Sequence, residues 1–331
     1  MAYDVNLYTE SELRQVITLD QGMIDLMAQT FAQLSQGNVV MPPILSMVIA
    51  EHHGEVDVKT AYVPGMDGFA LKISPGFFNN PQIGLPSLNG LVVYFAAKTG
   101  LIKALFMENG YLTDIRTAAA GGLAARLLAP SVVETAAVIG TGTQARLQAQ
   151  AAFLERPFAK LLIAGRNPDH AKICADDLRA HFGGKVAVDI TDAETAVRSS
   201  QLVITSTPAT APVVKAEWLH PRLHITAMGS DQGEKNEIES EAIIAADHYI
   251  CDRFSQVEIL GEWQAVVAAG LTPPQTPIEL GQIITGEAQA RSHDDDITIC
   301  DLTGTGAQDT AIGGYAFDLL AKSDLGTVIS V

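Results

Sequence analysis

The segment TAAVIGTGTQARLQAQAAFLE, residues 135–155, decides the fold. Its apolar opening has the pattern of a buried strand and runs directly into a GxGxxA turn and a helix. The turn consists of Gly140, Thr141, Gly142, Thr143, Gln144 and Ala145. This order brings backbone N–H groups and the positive end of a helix to the point where a pyrophosphate binds. The segment therefore predicts a dinucleotide site, and a glycine turn needed for packing is the alternative.

Apolar strand patterns and helical patterns alternate after this segment. They continue through AKLLIAG, PDHAKICADDLRAHF, KVAVDI, DAETAVRSS, QLVITST, LHITAMG and HYICD. Buried strands that alternate with helices are typical of a parallel sheet with helices on both faces. We therefore expect residues 130–304 to form a Rossmann-type, doubly wound α/β domain.

The N-terminal region has a different pattern. Thr9 and Glu12 form a capping-box pattern, and apolar residues then recur at helical spacing, so helices are expected to come first. Residues 55–108 contain alternating, glycine-bounded segments that predict an antiparallel sheet. An alanine-rich helix is expected over residues 117–129, ended by Pro130.

The last segment, GAQDTAIGGYAFDLLAKSDLG, is again helical in pattern and is expected to return to the first domain. The predicted organisation is thus an α+β domain of residues 1–129, completed by 305–331, and a nucleotide-binding domain of residues 130–304. At 331 residues and 47% hydrophobic composition, the chain is long enough to bury two cores.

Charge and cysteine content exclude several classes of protein. The formal net charge of −17 opposes binding to nucleic acid or to an anionic membrane surface. The three cysteines lie far apart, which indicates neither a disulfide framework nor a zinc site. The N-terminus lacks the pattern of a signal peptide, and no apolar stretch reaches membrane-spanning length. A cytoplasmic protein is therefore expected.

The turn after the second strand of the nucleotide-binding domain bears on the choice of cofactor. A domain that binds the adenosine 2′-hydroxyl commonly has Asp or Glu there, whereas this chain has Gly165, Arg166 and Asn167. Arg166 could pair with a 2′-phosphate, which favours NADP(H) over NAD(H). The alternative is a solvated arginine on a surface loop.

Six further segments occur in order along nearly the whole chain. They are DGFALKISPGFF, LTDIRTAAAGGLAARLLA, VIGTGTQARLQ, ITAMGSDQGEKNEI, CDRFSQVEILGE and DLTGTGAQDTAI. Together they resemble the ornithine cyclodeaminase/mu-crystallin family. HGEVDVKTAYVPG and KISPGFFNNP are most similar to its branch of ectoine-utilisation cyclodeaminase-like proteins.

The resemblance implies a homodimer in which the first domain provides the dimer sheet and most of the substrate pocket. It also implies hydride transfer between NAD(P)(H) and the α-carbon of a small amino or imino acid. Arg116, at the mouth of the alanine-rich helix, and Lys72 would surround the substrate α-carboxylate, and Lys72 would also take part in catalysis. Asp231 would be the acid/base aspartate. The alternatives are a salt bridge of Arg116 to Asp114 or another surface acid, and a capping or turn role for Asp231.

A set of mostly small residues is expected, by the same resemblance, to contact the cofactor. The set is Thr117 for phosphate or ribose, Thr207 at a strand end, Met228 and Gly229 by the nicotinamide, and Thr303 and Gly304 on the far side. Each small residue could equally belong to an ordinary strand-end turn. Lys235 and Glu237 are expected to belong to the cap of the next helix rather than to the chemistry.

Substrate specificity depends on the strand GEVDVKTAYVP. In the family member that acts on ornithine, an arginine follows the MPP region and an acid on the next strand holds the distal amine. This chain has Ile44 and Leu45 after the prolines. Alternation puts Glu55, Asp57 and Lys59 on one face of the strand. An acid in the pocket would suit a distal ammonium and Lys59 a second carboxylate, and the choice between them stays open here.

Three functions can be compared against these features. The leading one is an enzyme, either an amino acid cyclodeaminase or an imino acid reductase. A non-catalytic NADPH- and small-ligand-binding protein of the mu-crystallin type is the alternative, and the presence of Lys72, Arg116 and Asp231 argues against it. A hydroxy acid dehydrogenase would require a catalytic histidine at a strand end, and none is evident. The eight histidines lack metal-ligand spacing and are expected to be surface or structural residues.

Overall fold

The computed structural model describes residues 2–272 and 276–331, which divide into two compact units. The first unit contains the chain up to Leu19, Gln29–Arg116 and Thr305–Val331. The second contains Asp20–Ala28 and Thr117–Gly304. The division of the chain into functional domains at residues 129 and 304 stays a prediction.

A seven-stranded mixed sheet forms the centre of the first unit. Its spatial order is β15 (Thr327–Ser330), β1 (Asp4–Thr9), β6 (Ile102–Met107), β5 (Leu91–Ala96), β4 (Gly68–Phe77), β3 (Gly54–Ala61) and β2 (Leu45–Ile49). Strands β3 to β6 are the predicted antiparallel strands. The expectation that helices come first was wrong, because residues 4–9 form a strand that pairs with β6 on one side and β15 on the other.

Two short helices follow β1 where one apolar pattern was seen. The first, α1 (Glu10–Val16), begins at the predicted capping box, with Thr9 and Glu12 bonded reciprocally. The second is α2 (Gln21–Ser35). The capping-box prediction is therefore confirmed, and the apolar pattern is divided between two helices.

The C-terminal helix α11 (Gly306–Leu320) packs against β3 and β4. A Cβ atom on Gly306 would lie 2.3 Å from the carbonyl oxygen of Thr60, so glycine is required for this close approach. The Thr310 hydroxyl accepts a hydrogen bond from the Ala70 N–H (3.0 Å) and donates one to the Ala61 carbonyl (2.7 Å). These contacts fix the first turns of α11 on both strands.

The helix α3 (Tyr111–Leu128) begins earlier than predicted. Asn109 and Gly110 adopt positive φ angles, 50° and 90°, and form the turn that leads into it. The carboxylate of Glu108, before this turn, accepts a hydrogen bond of 3.2 Å from the Thr113 N–H. Glu108 thus acts as a hydrogen-bond acceptor for a free N–H group in the first turn of the helix, across the turn formed by Asn109 and Gly110. The sequence did not indicate a capping residue at this position.

Two site predictions change with this earlier start. Arg116 lies in the second turn of α3 rather than at its mouth, and Thr117 lies inside the helix rather than at its head. Both descriptions were wrong because the segment ENGYLTD has the composition of a loop. The helix nevertheless begins inside this segment, where the Glu108 side chain accepts a hydrogen bond from its first turn.

An eight-stranded parallel sheet forms the centre of the second unit. Its spatial order is β13 (Ile278–Glu279), β12 (His248–Cys251), β14 (Thr298–Asp301), β11 (His224–Ala227), β10 (Leu202–Thr205), β7 (Thr135–Ile139), β8 (Lys160–Ala164) and β9 (Ala187–Thr191). The chain proceeds from β7 through β8 to β9, and then from β10 outward on the other side. The strand order therefore reverses between β7 and β10, and the predicted doubly wound α/β fold is confirmed.

Helices cover both faces of this sheet. They are α4 (Thr143–Glu155), α5 (Pro168–Phe182), α6 (Ala193–Arg198), α7 (Ser240–Ala245), α8 (Phe254–Val257), α9 (Glu262–Ala268) and α10 (Leu280–Thr285). Successive residues of β7, β8 and β10 enter opposite cores, as Ala136 and Ala137 do. Helices α4 and α5 belong to one core, and α6, α7 and α9 to the other. Within the described residues, the search for a helix long and apolar enough to span a bilayer found none.

Candidate active site

A cluster of buried charged side chains lies in the first unit. We call it the charged cluster; its members are Lys59, Lys72, Glu108, Arg116 and Asp309. Asp309 joins two of them, because its Oδ2 lies 3.2 Å from Lys72 Nζ and its Oδ1 lies 3.1 Å from Arg116 Nε. The predicted alternative partner of Arg116, a surface acid such as Asp114, is therefore not the partner that the structure shows.

Five elements bring the charged cluster together. Lys59 on β3 and Lys72 on β4 are direct partners in the strand register. Asp309 lies in the first turn of α11, where the helix dipole favours an acid. Arg116 comes from α3, and Glu108 directly follows β6. Lys59 is buried, whereas Glu55 and Asp57 on the same strand are half-buried. Which of the three faces a substrate stays a prediction.

Burial and neighbouring charges shift the pKa values of the cluster. Burial lowers the pKa of Lys72 to about 8; Asp309 opposes this shift, and Arg116 and Lys59 add to it. Burial acts to raise the pKa of Asp309, but the three basic side chains outweigh it and hold that pKa below its ordinary value. Burial raises the pKa of the Glu108 carboxyl, which Lys72 partly opposes.

The charged cluster carries an excess of positive charge. It contains three basic side chains and two acids. Buried charge is costly unless an opposite charge compensates it. The arrangement therefore suits an anionic ligand such as a carboxylate, for which arginine offers two N–H donors.

The predicted glycine turn lies in the second unit at the point where the strand order reverses. Gly140 has a φ of 133°, and a Cβ atom there would lie 2.6 Å from the Ser206 carbonyl oxygen, so glycine is required. At Gly142 a Cβ atom would meet no heavy atom within 4 Å. A side chain at Gly140 would therefore collide with the backbone just after β10, whereas there is space for one at Gly142.

The N-terminus of α4 follows this opening. The helix begins at Thr143, and its first turn, which includes Gln144 and the buried Ala145, contains no acidic residue. Arg146 donates hydrogen bonds to the carbonyl oxygens of Thr141 (2.7 Å) and Gly142 (2.9 Å), and the Gly140 N–H donates one to the Ala164 carbonyl (2.9 Å). An open glycine turn before an acid-free helix start fits a dinucleotide pyrophosphate.

The turn after β8 contacts the glycine turn. Asn167 caps α5 by accepting hydrogen bonds from the N–H groups of Asp169 (2.9 Å) and His170 (3.2 Å). A Cβ atom on Gly165 would lie 2.5 Å from Cγ2 of Thr141, so this turn and the glycine turn touch. Arg166 is exposed between them. Its pairing with a 2′-phosphate stays a prediction.

Glu237 joins the ends of two neighbouring strands. Its Oε2 accepts hydrogen bonds of 2.7 Å from the Thr205 hydroxyl and the Gly229 N–H, and its Oε1 accepts bonds from the N–H (2.6 Å) and hydroxyl (2.7 Å) of Thr207. The expectation that Glu237 belongs to a helix cap was wrong, because α7 starts at Ser240 and the Glu237 side chain is fully buried. Glu237 therefore holds Thr207 and Gly229 in place.

Glu262 organises the loop that contains Asp231. Its carboxylate accepts hydrogen bonds from the Ser230 hydroxyl, the Asn236 amide (2.6 Å) and the Ile238 N–H (2.9 Å). Burial, together with the neighbouring Glu237, raises the pKa of Glu262 to about 7. The buried Glu262 carboxylate therefore holds this loop in place.

Asp231 itself lies at the surface of this loop. Its side chain is 44% exposed, and its Oδ1 lies 2.7 Å from Lys235 Nζ. The loop leads into no helix until Ser240, so Asp231 is not an N-cap. Lys235, expected to belong to a helix cap, is instead the ion-pair partner of Asp231.

Thr303 and Gly304 are held by side chains from the segment CDRFSQVE. The buried Asp252 accepts hydrogen bonds from the N–H groups of Thr303 (2.9 Å) and Gly304 (2.7 Å). Gln256 donates to the Thr303 hydroxyl (2.7 Å) and the Gly304 carbonyl (2.9 Å). The side chains of Asp252 and Gln256 therefore hold the loop after β14 in place.

The two remaining cofactor candidates lie in helical and strand-end positions. The Thr117 carbonyl accepts a hydrogen bond of 3.0 Å from Gln148 of α4. Met228, directly after β11, is partly buried and packs against the core on the α4 face. Their contacts with a cofactor stay predictions.

The buried histidine His224 has a structural role. His224 lies at the N-terminal end of β11, bonded to the hydroxyls of Thr298 (2.8 Å) and Thr226 (2.9 Å). Burial lowers its pKa to about 3, so it is neutral and structural. Across the described residues, no group of three or more His, Cys, Asp or Glu side chains could hold a metal ion.

Five buried acids of the two units were not recognised from the sequence. They are Glu108, Asp252, Glu262, Asp301 and Asp309. The available signal was an acid within an otherwise apolar segment, as in AQDTAI, which indicates a buried charge with a partner. The sequence does not identify that partner.

The doubly wound sheet and its open glycine turn define a dinucleotide-binding fold. The model of the ornithine cyclodeaminase/mu-crystallin family matches residues 4–323, and the chain belongs to this family. A putative dehydrogenase of Rhizobium meliloti is 49% identical over 324 residues, 98% of each chain. An uncharacterized cyclodeaminase of Sinorhizobium fredii is 44% identical over 326 residues, also 98% of each chain. A Δ1-pyrroline-2-carboxylate reductase of Bacillus cereus is 30% identical over 321 residues, 96% of this chain and 98% of the relative.

Two solved structures share the whole fold. The Δ1-pyrroline-2-carboxylate reductase of Thermococcus litoralis, in complex with NADH and L-proline, has a TM-score of 0.91 at 26% identity and covers 97% of this chain and 99% of its own. An archaeal alanine dehydrogenase, a dimer with bound NAD, has a TM-score of 0.90 at 27% identity and covers 99% of each chain.

Proposed function

We propose that the protein is an enzyme that uses NAD(P)(H) to transfer a hydride at the α-carbon of a small amino or imino acid, working as an imino acid reductase. The observation that carries this proposal is the charged cluster, in which Lys59, Lys72 and Arg116 are buried around Asp309. A cyclodeaminase substrate needs a second, distal amino group. The excess positive charge of the cluster disfavours that ammonium and favours a carboxylate.

The relatives support the same chemistry. The Bacillus cereus relative is a pyrroline-2-carboxylate reductase, and the Thermococcus litoralis reductase was solved with NADH and L-proline. The archaeal structural relative is an alanine dehydrogenase. Each acts on or holds a small acid with nitrogen on its α-carbon, as we propose for this chain.

In this proposal, Arg116 and Lys72 hold the substrate α-carboxylate, and Asp231 moves a proton on the substrate nitrogen. Lys59 contributes to the anion-binding side of the same pocket. The reduced nicotinamide nucleotide, when bound, supplies the hydride. Its pyrophosphate would lie on the amides of the glycine turn, Gly140 to Ala145. The other proposed cofactor contacts are Thr117, Arg166, Thr207, Met228, Gly229, Thr303 and Gly304.

The proposal includes a homodimer formed through the first unit. Strand β2 lies at one edge of its sheet and exposes Leu45, Met47 and Val48, the last by 73%. A long exposed apolar edge promotes aggregation unless another chain covers it. The archaeal relative is a dimer, so a second copy is the proposed occupant. Sedimentation velocity should show a monomer for Val48→Asp and a dimer for the control Ile173→Asp, an exposed residue of α5.

A cytoplasmic location completes the proposal. The three cysteines are free and buried, which a reducing compartment preserves.

A substrate panel tests the reaction. The purified protein is incubated with NADH or NADPH and with imino acids formed from 2-keto acids and ammonium, or with Δ1-pyrroline-2-carboxylate. Net oxidation of the reduced nucleotide with formation of the amino acid is expected, and Arg116→Leu should raise KM while leaving nucleotide affinity unchanged. Release of ammonia from a diamino acid without net nucleotide oxidation would indicate the cyclodeaminase, and tight nucleotide binding without any turnover would indicate the binding protein.

A further inference from the structure

Asp231 lies in a loop that joins β11 to α7. Residues 228–237, all within the described part of the chain, form neither helix nor strand. At the tip of this loop, Gln264 donates a hydrogen bond of 2.5 Å to the Gly233 carbonyl, but the bond is exposed, so water competes for both groups. An irregular segment loses conformational entropy when it is fixed. The position of Asp231 therefore depends on buried contacts that hold the loop.

Glu262, the first residue of α9, makes such contacts on both sides of Asp231. Its carboxylate accepts a hydrogen bond from the hydroxyl of Ser230, which directly precedes Asp231. It also accepts bonds of 2.9 Å from the N–H groups of Glu237 and Ile238, which follow Asp231 in the same loop. One carboxylate thus binds the chain both where the loop begins and where it ends.

The parallel sheet in turn holds Glu262 in place. The Glu262 N–H donates a hydrogen bond of 2.7 Å to Oδ2 of Asp301, the last residue of β14. The same oxygen accepts a bond of 2.5 Å from the Tyr249 hydroxyl of β12. A Cβ atom on Gly261 would lie 2.2 Å from Asp301 Oδ2, so this close approach of α9 to the strand requires glycine. Two strands of the sheet therefore support the residue that carries the carboxylate.

A carboxylate at this position is costly if its role is packing alone. Glu262 is 0% exposed, and a buried acid is unfavourable unless hydrogen-bond donors compensate it. An apolar side chain of similar volume would fill the space without that cost. The donors that compensate Glu262 are the Ser230 hydroxyl, the Asn236 amide and two backbone N–H groups, and all four belong to the Asp231 loop. The carboxylate therefore contributes a single conformation of this loop.

We propose that Glu262 is a positioning residue for the proton transfer that Asp231 carries out, because it fixes the loop on which Asp231 lies. This inference rests on the proposed function, in which Asp231 moves a proton on the substrate nitrogen. Such a transfer requires donor and acceptor atoms within about 2.6–3.2 Å of each other and contributes about 10²–10⁴-fold to the rate. A displacement of about 1 Å can cost about 100-fold. A looser loop should therefore slow the reaction more than it weakens binding.

Glu262→Gln tests the inference with little change of volume. Its amide NH₂ group would face donors of the loop, so part of the loop loses its acceptor. We expect kcat to fall about 100-fold. KM and nucleotide affinity should stay within about threefold of the parent values, because the Glu237 side chain keeps its own hydrogen bonds. Glu258→Gln, which changes an exposed acid just after α8, is the matched control and should behave as the parent protein.

A double-mutant cycle shows whether Glu262 acts through Asp231. The loss of kcat caused by Glu262→Gln should largely disappear when the change is made in Asp231→Asn, because no carboxylate is left to be positioned. An equal loss in both backgrounds, or a parent-like kcat in Glu262→Gln, would overturn the inference. If Glu262→Gln does not fold, Ser230→Ala decides the same question. It removes one hydrogen bond beside Asp231 and should lower kcat about tenfold in the parent background alone.

Hydrogen exchange separates this inference from the proposed function. Mass spectrometry of the protein without nucleotide follows the amides of residues 231–238 in the parent protein and in Glu262→Gln. These amides should exchange about tenfold faster in the variant, while those of β11 exchange at the parent rate. If no imino acid is turned over, the proposed function fails, and this measurement still decides the anchoring of the loop: equal exchange in both proteins contradicts it.

Discussion

Arg116 donates a hydrogen bond of 3.1 Å from its Nε to Oδ1 of Asp309, a residue 193 positions later in the chain. The other oxygen of Asp309 lies 3.2 Å from Lys72 Nζ, so a single carboxylate connects α3, α11 and β4. All three side chains are almost completely buried. Removal of the shared anion would leave two buried cations without compensation, which is a costly change.

Asp309→Asn should therefore destabilise the protein strongly. We expect the free energy of unfolding to fall by about 3–5 kcal/mol, because an amide does not compensate the charges of Lys72 and Arg116. Urea unfolding followed by circular dichroism measures the loss. Asp318→Asn, an exposed position on the same helix, is the matched control and should change stability by less than about 0.5 kcal/mol. A similar small effect for both variants would contradict the structural role of Asp309.

The pKa of Lys72, lowered to about 8 mainly by burial, predicts a pH dependence of substrate binding. Lys72 must be protonated to attract a carboxylate, so KM should be constant below pH 8 and rise up to tenfold per pH unit above it. The effect on stability has the opposite sign. The folded-state pKa lies below the ordinary value of 10.5, so the unfolded chain binds more protons between pH 8 and 10.5, and this residue's contribution to the free energy of unfolding rises with pH there.

Lys72→Arg is the control for this pH dependence. An arginine keeps its charge throughout the accessible range, so the rise of KM near pH 8 should disappear in this variant. A parent profile without an inflection between pH 7 and 9, measured by initial rates at limiting substrate, would contradict the assignment of Lys72.

The fold was predictable where local pattern alone determines the element. The strands and helices from Thr135 to Cys251 have short apolar runs and capped helical repeats, which need no distant partner to be recognised. Strands β1, β2 and β15 were missed for the opposite reason. The pairing of β1 with β15 joins residues far apart in the sequence, and β2 is exposed from Leu45 to Val48, so neither an apolar pattern nor the local turn residues indicate these strands.

The candidate site was predictable to a smaller extent. Lys72 and Arg116 could be singled out because an inward cation is costly without an anion. The contact of Asp309 with them could not be predicted. Asp309 lies 193 residues after Arg116, and no local sequence pattern indicates a contact over that separation. Glu237 was assigned to a helix cap because it precedes an apolar helix. In the structure its side chain is instead buried and accepts hydrogen bonds from Thr207 and Gly229 at the strand ends.

The glycine turn offers a direct comparison of a structural glycine with a functional one. Gly142→Val should fold normally, because no heavy atom lies within 4 Å of its Cβ position and its φ of −83° suits any residue. It should lower nucleotide affinity about 100-fold by filling the space of the pyrophosphate. Gly140→Ala should instead destabilise the fold, because its Cβ atom would lie 2.6 Å from the Ser206 carbonyl oxygen at a φ of 133°.

Two measurements separate these effects. Nucleotide fluorescence titration reports affinity, and thermal melting reports stability. An unchanged nucleotide affinity in Gly142→Val would contradict the assignment of the open turn to the pyrophosphate.

Glu237→Gln should weaken both the second unit and its binding of nucleotide. The carboxylate accepts four hydrogen bonds at the ends of β10 and β11, and an amide NH₂ group would face donors from one side. Each buried donor left without an acceptor costs about 1–3 kcal/mol. We expect a loss of stability of that order in urea unfolding and, because Thr207 and Gly229 lose their support, at least a tenfold loss of nucleotide affinity. Glu241→Gln, an exposed position on α7, is the matched control. Parent-like nucleotide affinity in a destabilised Glu237→Gln would show that the carboxylate supports the fold alone and that the strand ends hold their positions without it.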